Sequence, residues 1–241
     1  MKKLFLKNEI VFAVLWIVVY VVGFANADMV SESIGLNKSV TAALGLVLSC
    51  VMFGFVRKNG LLEYVGLTGF QGHIKTHLYF LPLVLISCVN LINGVKMNVS
   101  AAESVLTVVS MLWVAFLEEV IFRGLLFKAM AKDNLKTAVI VSSVTFGMGH
   151  IVNLFLGEPV LATLLQLMYA SAVGFLFTAI FLTGKSLILP ILSHAFINAT
   201  SIFARPMSAK ADIAVAVIQT VVSVGYGVWL LKKNDIAREK A

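Results

Sequence analysis

An all-α, polytopic membrane protein of about eight transmembrane helices, its functional site inside the helical bundle, is the fold class this sequence predicts. Hydrophobic residues make up 60% of the 241 and charged residues only 13%, with a mean hydropathy of +0.97. Soluble domains carry about 25% charged residues, so a water-soluble globular fold is excluded. Eight apolar stretches recur along the chain, most of them close to the roughly 20 residues that a bilayer-spanning helix needs. Lysine and arginine, finally, collect in alternate connections between those stretches.

The stretches are Ile10–Phe24, Ser39–Val56, Leu78–Ile92, Ser104–Met130, Thr137–Leu156, Val160–Leu182, Ser186–Ala204 and Ile213–Leu231. The first and third are short. Lys2 and Lys3 ahead of the first, with Ala25-Asn26-Ala27 behind it, also outline a secretory signal peptide. A retained first helix is expected, because a multi-span chain needs no cleaved signal; its removal would leave seven spans. The longest connection, Arg57–His77, contains Leu61-Leu62-Glu63-Tyr64-Val65-Gly66-Leu67 and is expected to form a short interfacial segment. No internal repeat or low-complexity tract interrupts the chain. It divides into residues 1–103 (helices one to three), residues 104–204 (a core of helices four to seven) and residues 205–241 (the last helix and a tail).

Eight spans with the N-terminus inside put 14 lysines and arginines on the inner side and only Lys38, Lys96, Arg205 and Lys210 on the outer, with Arg123 in the membrane. By the positive-inside rule both termini are then cytoplasmic. The net charge of +7 is assigned to these basic loops facing anionic lipid, since no Lys/Arg stripe interleaved with exposed aromatics marks a nucleic-acid surface. Cys50 and Cys88 both lie inside apolar runs, which indicates neither a disulfide framework nor a cysteine metal site.

Against this apolar background a few polar residues stand out. Glu118, Glu119 and Arg123 interrupt the fourth stretch, where a charge costs a few kcal/mol or more and marks a functional site by default. On a regular helix Glu119 and Arg123 lie about 40° apart and can pair, whereas Glu118 points about 140° away from the arginine. One carboxylate thus becomes a structural ion pair and the other a candidate general base. The fifth stretch carries Phe146-Gly147-Met148-Gly149-His150, with Phe146 placed to buttress His150 and the glycines thinning the helix around Met148. In the seventh, Pro190 falls near the first turn, and His194 and Asn198 share a face at i,i+4. Each of these groups alone could be a packing clamp. Counted at 1.5 Å per residue from the basic ends, however, Glu119, His150 and His194 all fall about 14–21 Å deep. Independent clamps have no reason to agree in depth; an active site does.

These residues, Glu118-Glu119-x-x-x-Arg123, Phe146-x-x-x-His150 and His194-x-x-x-Asn198, resemble the motifs of the CAAX protease and bacteriocin-processing (Abi) family of intramembrane proteases, in the same order and on three separate spans. The resemblance covers roughly residues 104–204. It implies hydrolysis of a peptide bond in a membrane-associated peptide or protein. Glu118 and His150 would position and deprotonate water, His194 and Asn198 would stabilise the oxyanion, and Glu119, Arg123 and Phe146 would support the site. Relatives are often labelled metalloproteases, and zinc, if used, would take Glu118, His150 and His194 as ligands. The absence of a His-Glu-x-x-His helix, and an arginine beside the carboxylates, favour metal-free catalysis with no cofactor. Two other classes compete: a proton-coupled transporter, and a non-catalytic immunity or scaffold protein that uses the polar cluster for packing. The first would show paired broken helices in two related halves, which this sequence lacks. Partners are therefore the lipid bilayer and a membrane-associated substrate. Fifteen lysines against four arginines point to a bacterial cell membrane.

Overall fold

A computed structural model describes residues 1–69 and 80–233. Within them every regular element is helical, apart from one isolated bridge between Val95 and Ala204, and the chain forms the expected all-α bundle. After a short α1 (Lys2–Lys7), Asn8 caps α2 (Glu9–Ile34) by accepting a hydrogen bond from Val11 N at 2.9 Å, and Gly35 ends it at φ 79°, a left-handed conformation that suits glycine. This helix runs well past the apolar stretch read from the sequence. Its polar end stays helical because Asp28 takes hydrogen bonds from Lys38 Nζ at 2.8 Å and Thr41 Oγ1 at 2.5 Å, while Ser31 Oγ donates to Ala27 O. The Ala25-Asn26-Ala27 segment is thus helix interior, with Ala27 buried.

Next come α3 (Ser39–Lys58), α4 (Leu81–Ser87), α5 (Ala101–Met130), α6 (Leu135–Met148), α7 (Val160–Gly184), α8 (Ile188–Ser201) and α9 (Ala209–Lys233). Among the described residues six of these helices, α2, α3, α5, α6 with its continuation to Leu154, α7 and α9, are long and apolar enough to cross a membrane. Two of the eight expected stretches differ. The third holds only the seven-residue α4 and a 3₁₀ turn, Val89–Leu91, and its first two residues lie outside the described chain. The seventh is the 14-residue α8, about 21 Å long, short of a hydrocarbon layer of about 30 Å. Both are sheltered by longer neighbours: Phe80, Leu83 and Ile86 pack against Leu176, Phe177 and Leu230 of α7 and α9.

Capping sets the start of the central helix. Ser100 and Glu103 form a reciprocal capping box at the head of α5. More than half of the spanning window of α5 is buried (56%, against 28–39% for the other five), so it runs through the middle of the bundle. Apolar residues such as Val18, Val47, Ile140, Leu164 and Val221 are exposed on the outer helices, as lipid-facing surfaces require.

Two ends of the bundle can be told apart. At one, Lys132 and Tyr64 donate to Glu9, and Ser186 Oγ donates to Thr68 O; at the other, Asn37 donates to Glu103, and Asn98 to Ile202 O and Ala204 O. The first end carries Lys2, Lys3, Lys7, Arg57, Lys58, Lys128, Lys132, Lys136, Lys185, Lys232 and Lys233. Only Lys38, Lys96, Arg205 and Lys210 lie at the second, while Lys75, Arg238 and Lys240 fall outside the described residues. The connection expected to lie at the interface is partly driven inward: Val65 is fully buried, and the Leu61–Leu67 turn wedges under the central helix. The His77 end of that connection is outside the described chain.

Candidate active site

The charged stretch of α5 is not a regular α-helix. Ala101–Glu119 is α-helical, Val120–Phe127 is a π-helix, and Lys128–Met130 returns to α. Wider turns of this kind are rare and recur at functional sites. All eight residues of the π segment are buried, Arg123 included, so the segment packs against the bundle on every side. The Glu119–Arg123 pair survives the change of pitch: Arg123 Nη1 donates to Glu119 Oε1 at 3.1 Å, and neither side chain has any accessible surface.

The two glutamates separate as the sequence suggested. Glu119 Oε1 accepts from Arg123 and also meets His194 Nδ1 at 3.0 Å. Glu118, whose side chain keeps 9% of its surface, has a different partner set. Its Oε1 accepts a 2.6 Å hydrogen bond from the Tyr20 hydroxyl of α2. Its Oε2 lies 3.3 Å from His194 Nε2 but too poorly aligned for a hydrogen bond, and is left without one. His194 therefore bridges the two carboxylates, and only a ring protonated at both nitrogens can donate to both.

Arg123 is held less by hydrogen bonds than by shape and ring faces. Its Nε and Nη2 have no hydrogen-bond partner among the described residues, but its Cζ sits 4.1 Å from the centre of the Phe146 ring. Room for the guanidinium comes from Gly174 of α7. A Cβ there would stand 2.8 Å from Arg123 Nη2 and 2.9 Å from Phe146 Cδ1. Phe146 also meets both histidines edge to face, with centroids 5.8 Å from His150 and 5.5 Å from His194. It buttresses His150 as expected and links the three motifs as well. Gly147 permits the close α6–α7 crossing, since a Cβ on it would run into Ser171 Oγ and stand 2.8 Å from Leu167 O. Gly149, read as a second thinning position, faces open space.

His150 sits not in α6 but in the 3₁₀ turn Gly149–Leu154 that follows it. It is not within ion-pair distance of Glu118, the residue with which it is expected to hold a water. Instead His150, His194, Asn198 and Phe146 line a cavity of about 600 Å³, a size usual for ligand sites. Glu118, Glu119, Arg123 and Tyr20 are not lining residues; the carboxylates stand behind His194. Asn198 does share the face of His194, as its spacing predicted.

Three contributors were missed in the sequence. Tyr20 reads there as one aromatic residue in an apolar helix, although its mid-span position, away from the interfacial belt where tyrosines gather, is a signal. Gly174 is a lone glycine in the sixth stretch. Gln219 of α9 lines the cavity at 8% exposure, an amide buried in the last span. As for a metal, no three His, Cys, Asp or Glu side chains among the described residues are grouped to hold an ion. Glu118 Oε2 and His194 Nε2 make at most a pair, so the residues do not supply the zinc set that the resemblance allowed for.

Residues 100–200 match the family model described as Rce1-like, Type II CAAX prenyl endopeptidase. That range contains Glu118, Glu119, Arg123, Phe146, His150, His194 and Asn198. Comparison with curated proteins and with solved structures returned no match.

Proposed function

Through residues 100–200 the chain belongs to the Rce1-like family, at family level an intramembrane protease of the CAAX type, and on that premise we propose that it hydrolyses a peptide bond with water activated by Glu118. The observation that carries the reading is Glu118 Oε2, a buried carboxylate oxygen with no hydrogen bond to the described residues, 3.3 Å from the Nε2 of His194, which lines a cavity with His150 and Asn198. Glu119 Oε2 is orphaned too, but that side chain has no exposed surface. Buried acceptors are nearly always satisfied, and an orphaned one marks a place for water or substrate.

In the proposed reaction Glu118 takes a proton from water as the oxygen bonds to the scissile carbonyl carbon. His150, whose ring nitrogens make no hydrogen bond with the described residues, orients that water from the opposite side. Asn198 donates its amide N–H to the oxyanion. The Nε2–H of His194 joins it, being only loosely held, while Nδ1 stays anchored on Glu119. Collapse of the intermediate breaks the C–N bond, and the proton on Glu118 passes to the leaving amine. Tyr20 fixes the rotamer of Glu118, and Glu119, itself held by Arg123, anchors the His194 ring through Nδ1. Donors aimed at a developing oxyanion are worth a few kcal/mol each.

No step uses a metal. Cleavage of a membrane-bound peptide by purified protein should persist in a strong chelator, and chelator loss rescued by zinc would reverse this part of the mechanism. Glu118→Gln should abolish cleavage in the same assay, whereas cleavage at the wild-type rate would refute the role of Glu118.

A further inference from the structure

We propose that the cavity opens on the extracytoplasmic side of the membrane and admits a peptide segment that has already been translocated. The inference rests on the endopeptidase reading and names the substrate's location.

Two independent observations lead to it. One is the position of the mouth. The outermost lining residues, Asn93, Pro159, Ala204, Arg205, Met207 and Asp212, all lie at the end of the bundle that holds only four of the described cations. From there the cavity descends past Ser201 and Asn198 to His194, about 10 Å along α8, and past Ala216 to Gln219, about 15 Å along α9. Among the described residues, none of the lining comes from the connections at the basic end.

The other is what lies beneath the site. On the basic side the described residues pack solidly under the π segment. Val65 is fully buried and stands 3.0 Å from where a Cβ on Gly124 would be. Gly66 O accepts from Leu187 N at 2.8 Å, Ser186 Oγ donates to Thr68 O at 2.7 Å, and the Phe181 ring covers Gly66. Loop lysines and arginines orient membrane proteins toward the cytoplasm, so the packed end is the cytoplasmic one and the open end faces away from it.

The lining also fits a peptide strand. Amide side chains, which both donate and accept, recur down the walls at Asn90, Asn93, Gln166, Asn198 and Gln219. Those of Asn198 and Gln219 make no hydrogen bond with the described residues and remain available to a backbone. The mouth adds one guanidinium and one carboxylate, Arg205 and Asp212, and the rest is largely apolar. Such a cavity suits an extended, weakly charged segment of an exported, membrane-anchored chain. The tail of a cytoplasmic protein would meet the packed end instead.

The test has two arms. In a Cys50→Ser, Cys88→Ser background, Met207→Cys and Lys136→Cys are treated separately with a membrane-impermeant maleimide, in intact and in permeabilised bacterial cells. Met207→Cys should label equally in both, and Lys136→Cys only after permeabilisation. The reverse pattern, or labelling of Met207→Cys only after permeabilisation, overturns the proposal. In the second arm a reporter peptide is tethered to a membrane anchor on either the outer or the cytoplasmic side, with Glu118→Gln protein as the control. Glu118-dependent cleavage of the outer reporter alone is the expected result, and cleavage of the cytoplasmic reporter alone overturns it. If neither is cut, the endopeptidase reading fails, while the labelling still decides where the cavity opens.

Discussion

Two adjacent glutamates in one membrane helix make opposite predictions. Both carry an orphaned Oε2, but only Glu118 keeps residual exposure, so Glu118→Gln should leave the thermal midpoint nearly unchanged while cleavage falls by roughly 10²–10⁴, the usual share of a general base. Glu119 is the fully buried partner of a fully buried arginine. Its replacement by glutamine strands that charge, at a cost of about 3–5 kcal/mol, and the loss should appear as unfolding or poor recovery in detergent before any kinetic effect. Tyr20→Phe removes the one hydrogen bond that fixes Glu118 Oε1. Hydrogen bonds to charged groups contribute about 1.5–3 kcal/mol, so kcat should fall at least about tenfold with KM unchanged. Spacing alone was enough to pair Glu119 with Arg123 and to put His194 and Asn198 on one face, because both follow from helical periodicity. It could not reveal His194 between the two carboxylates, which depends on where α8 docks against α5, nor Tyr20, whose role depends on α2 packing there too.

At the level of elements, the π segment Val120–Phe127 and its seat on α7 decide whether Arg123 can be accommodated. Gly174→Ala should destabilise the protein by about 1–3 kcal/mol, the range for overpacking, and lower activity with it. Gly149→Ala, facing open space, is the matched control and should be neutral in the same thermal melts. Apolar run length identified the spanning helices, but not the extension of α2 through Asp28 to Ile34. There, hydrogen bonds from Lys38 and Thr41 turn an apparent loop into helix. Run length also overstated the third and seventh stretches. An apolar segment sheltered by longer helices can be short, and hydropathy does not distinguish it from a span. The π-helix left no trace in the sequence, since its pitch is set by packing on all sides.

Across the described residues, charge and cavity are arranged as opposites: most cations gather at one end, and the outermost lining residues of the cavity lie at the other. The cation asymmetry is legible from the sequence because it depends only on counting loops. The cavity was not, because its walls combine the Val89–Leu91 turn with α6, α7, α8 and α9, and side chains as far apart in the chain as Asn90 and Gln219. Gln219, outside the family match, should act on binding rather than chemistry. Gln219→Leu is expected to raise KM several-fold with little change in kcat, as the loss of one substrate-facing hydrogen bond would. The central claim, that this bundle is a protease working through Glu118, is tested most directly by comparing the membrane-associated peptides of cells carrying the wild-type protein with those of cells carrying Glu118→Ala at equal abundance. The account predicts an uncut precursor that accumulates with Glu118→Ala and a matching product found only with the wild type. Identical peptide profiles from the two would contradict it.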